Sequence, residues 1–137
     1  MDRIQLGDEK HNKGYNCCQA VACVFCDEMG LEEETVFKMA EGFGAGMGDM
    51  QGICGALSGA AMVIGNKNST ANLDCPNSKP ATMKLMRELV AKFREKNGAT
   101  LCKDLKGVET GKALRSCPGC IEDAIRLTEE ALEELKK

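Results

Sequence analysis

Apolar residues recur every three or four positions through most of this chain, which is the spacing of the buried face of an α-helix. After Pro80 the pattern runs through Met83, Met86, Leu89, Val90 and Phe93. From about Pro118 to the last residue it runs through Ile121, Ile125, Thr128, Leu132 and Leu135. No stretch shows the strict apolar/polar alternation that is typical of a β-strand. The pattern therefore predicts an all-α fold.

The helix boundaries predict a single-domain bundle of about five helices, covering residues 1–137. The five predicted helical segments are Cys17–Gly30, a segment from Leu31 onward, Ile53–Gly65, Pro80–Asn97 and a segment from Pro118 onward. A short turn is expected between Thr100 and Gly107. Between the second and third segments lie five glycines, Gly42, Gly44, Gly46, Gly48 and Gly52. This density is too high for a helix and the segment is too short for a flexible linker, so we expect a tight, ordered Gly-rich connector.

Composition excludes some classes of partner. The net charge is -3, and the chain has four Phe, one Tyr and no Trp, so it lacks the basic surface and stacking platforms of nucleic-acid binders. The longest apolar run, 53–65, is too short to span a membrane. Residues 1–13 are polar and have no apolar segment typical of a secretion signal. We therefore expect a cytoplasmic protein that binds no nucleic acid and does not span a membrane.

Nine cysteines against one histidine point to thiol chemistry. In a reducing compartment such residues are more often metal ligands, redox centres or small packing residues than structural disulfides. Cys117 and Cys120 form a C-x-x-C pair at a helix start, where free N–H groups could stabilise a Cys117 thiolate, or the pair could be an inert capping turn. Cys54 opens a helix after the Gly-rich connector and is the better functional candidate, with helix packing as the alternative. This helix is rich in small residues, and its Gly55 and Gly59 lie four apart on one face, where another backbone can approach closely.

The other cysteines are assigned from their position on the predicted helices. Cys17 lies at the edge of its apolar arc and can face a crevice, whereas Cys18 is predicted to be core. Cys23 and Cys26 also have C-x-x-C spacing and are interpreted as exposed thiols, a second partner surface, or packing residues. Cys75 lies in a polar loop and is predicted to be incidental. His11 has no thiol at a suggestive spacing, so a Cys–His hydrolase has little support.

Several segments taken together resemble one known family. They are Gly14-Tyr15-Asn16-Cys17 with Gln19-Ala20-Val21, the segment 42–48, Cys54-Gly55-Ala56-Leu57-Ser58-Gly59-Ala60, Cys102 before Leu105-Lys106-Gly107, and Cys117 before Asp123-Ala124. This chain resembles the small family labelled C_GCAxxG_C_C, whose label describes redox-active proteins. It reads Cys54-Gly55-Ala56 where the label has glycine first.

The resemblance implies that Cys17, Cys54, Cys102 and Cys117 are the four family cysteines and that the helices bring them together. Cys120 could act as a local partner of Cys117. The implied function is redox activity of an oxidoreductase or electron-transfer protein with an unidentified redox partner, either by thiol/disulfide cycling or through an iron-sulfur cluster held by the four cysteines. The alternatives are a non-catalytic module in which the same four cysteines bind zinc, and a helical interaction module with reduced, buried cysteines.

Overall fold

The computed structural model describes residues 1–137 and contains eight right-handed α-helices. They are α1 (Arg3–Asn12), α2 (Cys17–Cys23), α3 (Cys26–Met29), α4 (Glu33–Ala40), α5 (Gly55–Asn68), α6 (Lys79–Asn97), α7 (Cys102–Lys106) and α8 (Cys117–Lys136). The only strand-like pairing is an isolated antiparallel bridge between Ile53 and Leu101. None of the helices is both long enough and apolar enough to cross a bilayer.

The all-α prediction is confirmed, but the prediction of about five helices is wrong. The segment 1–13 forms α1, which its polar composition concealed; its start is stabilised by a capping box between Asp2 and Gln5. The predicted helix 17–30 is broken at Val24 and Phe25 into α2 and α3. The turn expected after Thr100 is the helix α7. Each of these differences adds one helix to the predicted five.

Helices α2, α5 and α8 form the centre of the bundle. Each packs against the other two, while α1 lies against α2 and α8, α4 against α2, and α6 against α5 and α8. Their apolar faces supply most of one core, which includes Phe25, Leu57, Ile64, Phe93 and Ile125. Burial of these faces is the main term that stabilises such a bundle, because short helices are marginal on their own.

Helices α2 and α5 approach each other unusually closely through two glycines. A Cβ atom placed on Gly59 would lie 2.8 Å from the Cys18 carbonyl oxygen and 2.9 Å from Val21 Cβ. A Cβ on Gly55 would lie 3.3 Å from the Cys18 backbone nitrogen. The small-residue face predicted for this helix is therefore confirmed as a close backbone contact, and it places the start of α5 beside the start of α2.

The Gly-rich connector is ordered, as predicted, but its conformation is left-handed. A short 3-10 turn, Glu41–Phe43, is followed by four residues with positive φ: Ala45 (52°), Gly46 (59°), Met47 (68°) and Gly48 (90°). The connector is tied to α7 by the Cys102 amide, which donates to the Gly52 carbonyl at 3.0 Å. A Cβ on Gly46 would lie 2.6 Å from Cys102 Cβ. Glycine at that position is therefore required both by φ and by the proximity of α7.

Candidate functional site

Five cysteines line one small cavity of about 160 Å³. Four of them are the cysteines singled out by the family resemblance, Cys17, Cys54, Cys102 and Cys117, and the fifth is Cys120. Residues from α1, α2, α5, α7 and α8 contribute to its wall. Positions far apart in the sequence thus come together at one place in the fold. All of these cysteines are free thiols.

The four family cysteines share a structural position, since each stands at the start of a helix. Cys17, Cys102 and Cys117 are the first residues of α2, α7 and α8, and Cys54 is the N-cap of α5. Helix N-termini carry free N–H groups and a partial positive charge that favour a thiolate over a thiol. The wall of the cavity is therefore made partly of helix N-termini.

Side-chain caps fix two of these helix starts. The Asn16 side-chain oxygen caps α2 by accepting a hydrogen bond from the Gln19 backbone N–H at 2.9 Å. In return, the Asn16 backbone N–H donates to the Gln19 side-chain oxygen. Ser116 caps α8 by accepting from the Gly119 amide at 3.1 Å. These caps hold Cys17 and Cys117 in defined orientations at the cavity.

Cys17 and Cys117 form the more accessible thiol pair. Both are only partly buried, and each is the largest influence on the pKa of the other. The neighbouring Cys17 thiol, helped by the charge of Lys106 and by His11, lowers the pKa of Cys117 to about 5 despite partial burial. The proximity of Cys117 raises the pKa of Cys17. The pair therefore consists of a Cys117 thiolate beside a Cys17 thiol.

Cys54 and Cys120 form a second pair that is almost fully buried, at 5% and 3% exposure. The neighbouring Cys120 thiol and the backbone N–H groups of Ala56 and Leu57 lower the pKa of Cys54. The pKa of Cys120 is raised by the proximity of Cys54. Cys102, also buried, has a pKa raised by burial. The helix start thus favours negative charge on Cys54.

A buried carboxylate orients the arginine in the cavity wall. Asp123 is 2% exposed and accepts from Arg115 Nε at 3.1 Å and from Arg115 Nη2 at 3.2 Å. Lys96 and Asn97 complete its contacts, at 2.5 and 3.1 Å. Burial raises the pKa of Asp123, but these hydrogen bonds outweigh it, so the net shift is downward. The ionised Asp123 fixes the Arg115 guanidinium beside the thiols.

One known protein family matches most of this chain. Residues 15–131 match the family model described as "Putative redox-active protein (C_GCAxxG_C_C)". The chain belongs to this family. No curated protein and no solved structure matches it. Membership supports a redox role in general terms, and the matched region includes all five cavity cysteines.

Within this family member, the sulfur pairs differ from the pairing suggested by the local C-x-x-C motif. Cys17 and Cys117 are the largest influence on each other's pKa, and so are Cys54 and Cys120, so each pair joins two helices that are distant in sequence. The remaining cysteines lie outside the cavity. Cys18 is fully buried, which confirms its prediction as core, and Cys75 is exposed in a loop.

Three basic residues of the cavity wall were not identified as site residues from the sequence: His11, Lys106 and Arg115. Lys106 lies within the Leu105-Lys106-Gly107 motif, which was the one available signal for it. His11 lies on the helix α1, which was not predicted, and Arg115 depends on its contact with Asp123. Their positions follow from helix packing.

Clustered thiolates are suitable ligands for zinc and for iron-sulfur clusters. No group of three or more His, Cys, Asp or Glu side chains is arranged so that it could hold a metal ion. The four family cysteines do line one cavity, and binding of zinc or an iron-sulfur cluster by them stays a prediction.

Proposed function

We propose that this protein is a thiol–disulfide oxidoreductase in which Cys117 is the attacking thiolate and Cys17 the resolving thiol. The observation that carries this proposal is the placement of these two thiols in one cavity, with Lys106 beside Cys117. General redox activity agrees with the family description.

The electrostatics favour Cys117 as the nucleophile. The thiolate is the reactive form of cysteine, and a pKa of about 5 leaves Cys117 ionised at pH 7. The Lys106 ammonium lines the same cavity, and its own pKa is raised by Cys117. Cys117 is also more exposed than Cys54, so a substrate disulfide can reach it more readily.

The reaction needs no group other than the two thiols and a disulfide substrate. The Cys117 thiolate attacks one substrate sulfur, the substrate S–S bond breaks, and the leaving thiolate takes up a proton from water. The Cys17 thiol then loses its proton and attacks Cys117 Sγ, so the mixed disulfide breaks and the second substrate thiolate leaves. The thiolate–thiol pair has lost two electrons and one proton, and the substrate becomes two thiols when its second thiolate also takes up a proton from water.

Cys54 and Cys120 supply a second dithiol within the same cavity. The charges of Cys17 and Cys117 both influence Cys120, which indicates that the two pairs are close. We propose that the buried pair re-reduces the Cys17–Cys117 disulfide by a further exchange and becomes a disulfide itself. The site would then pass two electrons from the interior to the substrate.

We also propose that the protein is located in the cytoplasm. All nine cysteines are free, including the exposed Cys75. Free thiols persist in a reducing compartment, where a dithiol would be available to act as a reductant.

The test is a stopped-flow reaction with a small aromatic disulfide that releases a coloured thiol. Wild-type protein should show a fast phase whose rate titrates near the Cys117 pKa of about 5. Cys117→Ser should abolish that phase, while Cys17→Ser should leave a mixed disulfide on Cys117 that persists in the intact mass. Lys106→Met should move the titration to higher pH because the thiolate loses its cation.

The matched control is Cys75→Ser, which removes an exposed thiol outside the cavity and should leave the fast phase unchanged. A fast phase of wild-type rate in Cys117→Ser would show that another thiol is the nucleophile, and the proposal would be wrong.

A further inference from the structure

A third pair of thiols lies outside the candidate site, at the junction of α2 and α3. Cys23 is the last residue of α2 and Cys26 the first of α3, and each thiol influences the pKa of the other. They line a surface cavity of about 570 Å³ that shares no residue with the cavity around Cys117. Along α2, Cys23 is about 9 Å from Cys17 at 1.5 Å per residue.

Arg3 holds the backbone between the two thiols. Its guanidinium donates to the Val24 carbonyl oxygen and lies over the Phe25 ring, 4.6 Å from the ring centroid. The same group makes two hydrogen bonds to Asp27, at 2.8 and 3.0 Å. The turn that separates Cys23 from Cys26 is therefore fixed by α1, and the thiols are positioned without a disulfide.

The geometry of this pair suits disulfide formation. The two residues flank a turn, and Cα atoms three residues apart across a turn lie less than about 7 Å from each other, close to the range of about 4.4–6.8 Å found in disulfides. Both side chains line the same cavity. Cys23 is 4% exposed and Cys26 is only partly buried, so one sulfur is accessible and the other is protected behind it.

The charged groups around this pair oppose one another. Lys10 on α1 lowers the pKa of both thiols, and Glu33 on α4 raises it. Glu33 also binds Lys10 at 2.5 Å and accepts from the Tyr15 hydroxyl at 2.6 Å, so much of the lysine charge is neutralised. Burial is the largest influence and raises the pKa of Cys23 to about 12. This environment differs from that of Cys117, where a cation favours the thiolate.

We propose that Cys23 and Cys26 form a third dithiol–disulfide couple, separate from the cavity thiols, which is oxidised by low-molecular-weight disulfides. Cys26 attacks the substrate disulfide and releases one substrate thiol, which leaves a mixed disulfide on Cys26. Cys23 then attacks Cys26 Sγ and releases the second substrate thiol. Two electrons and two protons pass from the protein to the substrate, so the chain carries a further two-electron couple.

This couple should react more slowly than Cys117, because few of its thiols are ionised at pH 7. Glu33→Gln should speed the oxidation by leaving Lys10 unopposed. A pKa fall of one unit raises the thiolate fraction tenfold and lowers its nucleophilicity about threefold, so the net gain is about threefold. Lys10→Gln should slow the reaction by a similar factor.

The experiment incubates the full-length protein with mixtures of oxidised and reduced glutathione at set ratios. Free thiols are blocked at low pH, disulfides are reduced and labelled with a second reagent, and the labels are located by tandem mass spectrometry. As the proportion of oxidised glutathione rises, Cys23 and Cys26 should change from the first label to the second together, with the same midpoint. Within the same protein, buried Cys18 should keep the first label, and exposed Cys75 should form only a glutathione adduct.

Two variants make the result decisive. Cys23→Ser removes the resolving thiol, so glutathione bound to Cys26 should increase at least tenfold over wild type. Cys117→Ser should leave the oxidation of Cys23 and Cys26 unchanged, which separates this couple from the function proposed for the cavity. The proposal is overturned if wild-type Cys26 accumulates only a glutathione adduct, or if both thiols keep the first label when Cys75 is fully modified.

Discussion

Replacement of Gly59 by alanine tests whether α2 and α5 are held together by backbone contact. The added Cβ would lie 2.8 Å from the Cys18 carbonyl oxygen and 3.3 Å from the Ala22 nitrogen, both of which are backbone atoms. Backbone atoms cannot rotate away as the end of a flexible side chain can, so the two helices must separate. We therefore expect a cost of the kind produced by overpacking, about 1–3 kcal/mol.

Helix propensity acts in the opposite direction and must be subtracted. Alanine in a helix interior is favoured over glycine by about 1 kcal/mol. The expected net change for Gly59→Ala is thus a loss of about 1 kcal/mol in the free energy of unfolding. Gly65 is the matched control, because it lies on the same helix and a Cβ added there would have no atom of a neighbouring element within 4 Å. Gly65→Ala should raise stability by about 0.5–1 kcal/mol.

Urea denaturation followed by far-UV circular dichroism measures both variants against wild type. The difference in unfolding free energy between the two alanine variants should be about 2 kcal/mol, with unchanged m-values. If Gly59→Ala is as stable as Gly65→Ala, the close contact between α2 and α5 does not limit packing, and the reasoning from the glycine geometry is wrong.

Two further changes probe the connector and the buried carboxylate. Ala45 has a φ of 52°, in the left-handed region, so Ala45→Gly should relieve about 1–2 kcal/mol of backbone strain. After the entropy cost of glycine is subtracted, the free energy of unfolding should rise by about 0.5–1 kcal/mol, and a lower urea midpoint would contradict this. Asp123→Asn should cost about 2–3 kcal/mol, since it weakens charge-assisted hydrogen bonds to Arg115 and Lys96, which are themselves partly exposed. Because the folded-state pKa of Asp123 is depressed, its carboxylate stabilises the fold above about pH 4, and this stabilisation is lost as the pH falls through the folded-state pKa. The free energies of unfolding at pH 6 and pH 3 should therefore differ less in Asp123→Asn than in wild type.

Local sequence signals were sufficient for the long helices. The apolar spacing after Pro80 and Pro118 identified α6 and α8, and their packing faces follow directly from the period of the helix. The spacing of Gly55 and Gly59 likewise predicted a face that another backbone could approach. These features are encoded within a few turns of chain, so neighbouring residues are enough to reveal them.

Other helices depend on contacts that the local pattern does not contain. α1 has little apolar character, and it is stabilised by its capping box and by packing against α8. The break between α2 and α3 carries no proline or glycine, and Arg3 from α1 contacts it at Val24 and Phe25. A prediction based on periodicity within one segment therefore continued the helix through the break.

The sequence by itself determined that the chain is helical, that three of the four family cysteines stand at or near helix starts, and that two glycines permit close packing. Only the tertiary structure decided which thiols are neighbours: Cys117 contacts Cys17 across two helices, although Cys120 is its neighbour in the motif. It also decided that Lys106 lies beside Cys117. The physical reason is that helix formation is governed by residues within one or two turns, whereas the ionisation of a thiol depends on every charge and hydrogen-bond donor within a few ångströms, whichever part of the chain supplies it.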